Sequence, residues 1–104
     1  MVIGVSFMNA KLRTKETAML CQAFLALEAE EECLAFFEDL LTVQELQSIA
    51  QRLAVAQLLD QGQTYEDIAR LTGASSATIS RVKRALAFGA DGYRLVLDRL
   101  AKAR

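Results

Sequence analysis

Apolar positions recur every three to four residues along most of the chain, a period that predicts helices. The first stretch runs from about Thr14 to Leu27, where Met19, Leu20, Ala23, Phe24 and Leu27 share one helical face. An acid cluster follows, Glu28, Glu30, Glu31 and Glu32. Carboxylates are favourable at a helix N-terminus, so a second helix is expected over about Glu30 to Leu41. Its apolar face holds Cys33, Leu34, Phe36, Phe37, Leu40 and Leu41. Thr42 and Glu45 have capping-box spacing, which starts a third helix at Val43. Leu46, Ile49, Leu53, Ala56 and Leu59 carry it on, widened by Val55 and Leu58, until Gly62 stops it. So broad an apolar face predicts a helix central to the core. A last helix is expected from about Asp91, as its starting residue, to Lys102. Arg94 with Asp98, and Asp98 with Lys102, have the spacing to pair on its surface.

The segment Thr64 to Leu86, TYEDIARLTGASSATISRVKRAL, has a more specific pattern. Thr64 and Asp67 form a weaker version of the same cap, and a short helix follows. Gly73 suits a turn that needs positive φ. Ser75 or Ser76 then caps a second helix. Ala69 is small where the two helices must approach, and Ile68, Ile79 and Val82 supply apolar contacts between them. This is the layout of a helix-turn-helix, spanning about residues 64–88, which fits the DNA major groove. The candidate DNA contacts are Ser75, Ser76, Ala77, Thr78, Ser80, Arg81, Lys83 and Arg84. Small and hydroxylic side chains permit close approach to bases. Arg serves guanine or phosphate, and Lys83 suits phosphate.

Charge changes the picture locally. The formal net charge is only −1, but residues 1–52 hold 4 basic and 8 acidic side chains, whereas residues 53–104 hold 8 basic and 5 acidic. No acid interrupts Gly73 to Ala90. A basic half on a near-neutral chain suits local contact with a polyanion. The 104 residues, 53 % of them hydrophobic and none proline, fit one helical domain over residues 14–104 after a disordered N-terminal segment, 1–13. Met8 is an alternative start. Cys21 and Cys33 read as buried free thiols in a reducing cytoplasm. Neither a signal peptide nor a membrane span is expected, since the uncharged run Thr17 to Leu27 is too short. Without histidine, a glycine-rich phosphate loop or a metal-type cluster, no cofactor, metal or enzyme activity is expected. Glu38 and Asp39 are adjacent on a helix and point apart.

LTVQELQSIAQRLAVAQLL followed by GASSATISR resembles the Trp repressor family, and over roughly Leu27 to Leu100 its bacterial YerC/YecD group. The resemblance implies an all-α fold of about six helices. It also implies an intertwined homodimer that places two reading helices in successive major grooves about 34–36 Å apart. Thr42, Arg52 and Arg81 match residues that hold the family's amino acid ligand, and so form a candidate effector pocket. Val82 stands where the repressor has glycine, and Ala85 where it has a hydroxyl, so free tryptophan is not expected to bind. Another small anion, or pairing of the arginines with a carboxylate such as Glu45, remains open. Glu66 replaces a basic residue, so the operator sequence does not transfer. The expected function is a sequence-specific, DNA-binding transcription regulator, a repressor, acting as a homodimer on double-stranded DNA. The alternative is a protein-interaction module with the same fold.

Overall fold

The computed structural model describes residues 10–103. After a short 3-10 turn, Ala10–Leu12, six α-helices follow: α1 (Lys15–Ala26), α2 (Glu30–Leu40), α3 (Val43–Asp60), α4 (Tyr65–Thr72), α5 (Ser76–Phe88) and α6 (Gly92–Lys102). No strand occurs among the described residues. Most of the expected disordered segment, and Met8 with it, lies outside them.

The described residues fall into two compact units, 10–47 and 48–103. In the first, Thr14 Oγ1 accepts from the Thr17 amide at 3.0 Å and caps α1. The Glu28 amide donates to Glu32 Oε1 at 2.8 Å, so the acid cluster does open α2. Thr42 and Glu45 form the reciprocal box: each backbone amide donates to the other's side chain, at 2.9 and 3.1 Å. The Thr42 amide, and after it the Thr42 hydroxyl, hold the Glu45 carboxyl below its ordinary pKa.

Phe24 packs edge-on against Phe36 and Phe37, with centroids 5.8 and 6.1 Å apart. Yet no residue of α1 or α2 is buried. Met19, Leu20, Leu34 and Leu40 remain exposed. Cys21, expected inside, is exposed, and Cys33 is half-buried. The physical reason is the same for all of them: two short helices alone cannot enclose an apolar face.

The second unit owns the core. Val55 and Ala56 of α3 meet Ile68, Ala74, Ile79, Val82 and Leu97, with Leu58, Leu59, Ala69, Leu86 and Tyr93 packed around them. No polar side chain is buried among the described residues. This corrects the expected role of α3, because only its C-terminal half is central. Ile49 and Leu53 are 50 % and 38 % exposed. The buried residues of α4, α5 and α6 gather on Val55 and Ala56, which leaves that earlier row open.

Arg94 fastens α6 to the end of α3. Its guanidinium reaches both Asp60 oxygens at 2.6 and 2.8 Å and Asp98 at 2.9 Å. The bond to Arg94 lowers the Asp60 pKa, and the pair in turn raises that of Arg94. Asp98 is thereby engaged, and the expected pairing with Lys102 does not form. Asp91 precedes α6 in a left-handed conformation, φ 64°, and its side chain makes no capping bond, contrary to the expected cap. No helix among the described residues is long and apolar enough to cross a membrane.

Candidate nucleic-acid interface

α4 and α5 form the expected helix-turn-helix. Thr64 Oγ1 accepts from the Asp67 amide at 3.1 Å and starts α4. Gly73 ends it at φ 73°, with its amide on the Ala69 carbonyl at 2.8 Å. Thr72 stitches the turn: its hydroxyl donates to the Ile68 carbonyl at 2.7 Å and accepts from the Ala74 amide at 3.1 Å. Gln51 of α3 donates to the Thr72 carbonyl at 3.1 Å. Ser75 Oγ then accepts from the Thr78 amide at 3.1 Å and caps α5.

The two sides of α5 differ. Ile79 and Val82 are 1 % and 2 % exposed, and Leu86 packs beside them. On the outer side Ser75, Ser76, Ala77, Ser80, Arg81, Lys83 and Arg84 are all exposed, while Thr78 is half-buried against the Ser75 hydroxyl. Ile68, Gly73 and Ala69 occupy the expected places on the inner side and in the turn: Ile68 is fully buried and Ala69 packs on the core. Neither Arg81 nor Arg84 forms an ion pair among the described residues, whereas Arg70 pairs with Asp67 and Arg94 with Asp60 and Asp98. Their charge therefore stays available to a polyanion.

Sequence reasoning missed four contributors. Ala74 is buried in the turn. Gln51 and Thr72 tie the turn to α3 through a contact no short spacing announces. Tyr65, at the start of α4, lies under the Lys83 ammonium, 5.4 Å from its ring centroid.

The candidate effector residues are placed differently. Arg52 lines a wide-mouthed cavity of about 580 Å³ with Ile49, Leu53, Ala85, Tyr93 and Val96. Arg81 is not part of its lining, and Thr42 is engaged in the α3 cap. Among the described residues no ion pair joins either arginine to Glu45. Apart from Arg52 the cavity wall is almost wholly apolar.

A family model described as Trp repressor protein matches residues 15–101 of this chain. The chain belongs to the Trp repressor family. Among relatives of that family, YerC of Bacillus subtilis (strain 168) is 54 % identical over 90 residues, which cover 86 % of each chain. A TrpR-like protein from Eubacterium eligens has a TM-score of 0.86 at 49 % identity, over 89 % of this chain and 96 % of that one. A Trp repressor candidate from Staphylococcus aureus gives 0.87 at 51 % identity, over 92 % and 96 %. The Trp repressor family is one of regulatory proteins and not of enzymes.

Proposed function

We propose that this protein is a sequence-specific DNA-binding transcription regulator, a repressor, that reads the major groove as a homodimer. One observation carries the reading: α5 is anchored by Ile79 and Val82 while its opposite side offers unpaired arginines and small hydroxylic residues. A surface helix with no partner gains nothing from concentrating cations without acids, whereas phosphate attracts them strongly. Ser75 to Thr78 at the N-terminal end suit close approach to base edges, and Arg81 and Arg84 suit guanine or phosphate. The apolar side chains left exposed on α1 and α2, and separately on α3, support self-association, since large exposed apolar surface marks an interaction site.

Free tryptophan is not the effector on this reading. Val82 fills core volume where the family resemblance needs glycine, and Ala85 offers the cavity no hydroxyl. The dialysed protein is therefore expected to bind DNA equally well with and without tryptophan.

Selection of bound sequences from a random duplex pool tests the function. A two-fold symmetric sequence should emerge, with affinity falling steeply as salt rises. R81A/R84A should lose the shift while its helical circular dichroism stays at the parent level. No enrichment, together with a stable heterologous protein partner, would favour an interaction module using the same exposed apolar rows.

A further inference from the structure

We propose that Tyr65 is a positioning residue whose ring holds the Lys83 ammonium at the α4–α5 flank as a fixed contact for a DNA backbone phosphate. The proposal rests on the DNA-binding reading above and deepens it by assigning how one contact is prepared.

Four observations lead to it. Lys83 is exposed on α5, one position after the buried Val82. Its ammonium lies 5.4 Å from the Tyr65 ring centroid. Tyr65 opens α4, and the first helix of a helix-turn-helix crosses the sugar-phosphate backbone. A cation held there meets phosphate and not bases. Finally, Glu66 and Asp67 follow Tyr65 directly, yet Lys83 pairs with neither among the described residues, and Asp67 is taken by Arg70 at 3.3 Å.

The choice of ring over carboxylate matters chemically. A salt bridge would cancel the charge and have to break before a phosphate is met. An aromatic face attracts the cation through its quadrupole and leaves the charge intact. It also removes rotamer freedom that a lysine otherwise loses on binding. Phosphate capture then starts from an ordered, uncancelled cation.

The test uses the full chain and the duplex enriched from a random pool, titrated over a salt series. K83A should lower the slope of log affinity against log salt by about one per subunit. Y65L changes no charge, yet should weaken binding about threefold. Y65F, which keeps the ring face, should bind like the parent. Y65L should cost nothing further once Lys83 is Ala. A separate readout needs no DNA: the ε-methylene protons of Lys83 should lie upfield in the parent and in Y65F, and return to the usual lysine position in Y65L. Equal losses from Y65L with and without Lys83, or an unshifted ε-methylene signal in the parent, would overturn the role of Tyr65 alone. Absence of duplex binding by the parent would overturn the DNA reading, and this inference with it.

Discussion

A side chain added at Gly73 would meet open space but a disfavoured backbone, whereas one added at Gly89 would meet a wall. Gly73 has φ 73° and no neighbour within 4 Å of an added Cβ. G73A should therefore cost about 1–2 kcal/mol from left-handed strain alone, and G73N less, because Asn tolerates that region. At Gly89 an added Cβ would run into the Ala85 carbonyl, which belongs to the α5 backbone and cannot swing aside. G89A should cost about 2–3 kcal/mol by overpacking, and thermal unfolding of the two variants checks the order. Asp91 is the converse case, a non-glycine residue at φ 64° with no capping bond to offset the strain. D91G should raise the melting temperature. The turn glycine was legible from its flanking pattern. Asp91 was not: aspartate before a helix suggests a cap, and only the backbone angle shows that its side chain is turned away from that role.

At the scale of elements, the join between α3 and α6 is electrostatic at its edge. Arg94 holds Asp60 below the ordinary carboxylate pKa of about 3.9. The sign follows from linkage: a depressed folded pKa means that the unfolded chain binds the proton first. The stabilisation from Asp60 is thus complete above about pH 4 and is lost as pH falls through the lowered folded value. Unfolding measured from pH 6 down to pH 2 should show this decline in the parent and a smaller one in D60N. All six helices and three side-chain caps, at Thr42, Thr64 and Ser75, could be read from the sequence, because caps and apolar period are local signals. Partners across elements could not. Spacing pairs Arg94 with Asp98, and that pair forms, but nothing local announces its bidentate contact with Asp60, far away along the chain. Gln51 reaching Thr72 is another such case. I68A, which empties a fully buried site shared by four helices, should cost about 2–5 kcal/mol.

For the whole molecule, the distribution of apolar surface is the dominant fact. Among the described residues seven form the core, all in the second unit, whereas Met19, Leu25 and Leu34 are 67 %, 84 % and 54 % exposed in the first. Helical period identifies an apolar face but not what covers it, which is why the α3 row and Cys21 were expected inside. On the proposed homodimer these rows meet a second copy, and stability then depends on protein concentration. The melting temperature should rise as concentration is raised. I49E/L53E should shift the protein toward monomer in sedimentation and abolish that dependence.

The two-sidedness of α5 has an evolutionary consequence. Substitutions at Ala77, Ser80, Arg81 or Arg84 leave the inner row of Ile79 and Val82 untouched. On the proposed DNA-binding function, descendants of this chain can exchange one target for another through surface changes nearly neutral for folding, and a duplicated copy can acquire a new regulon without rebuilding its scaffold.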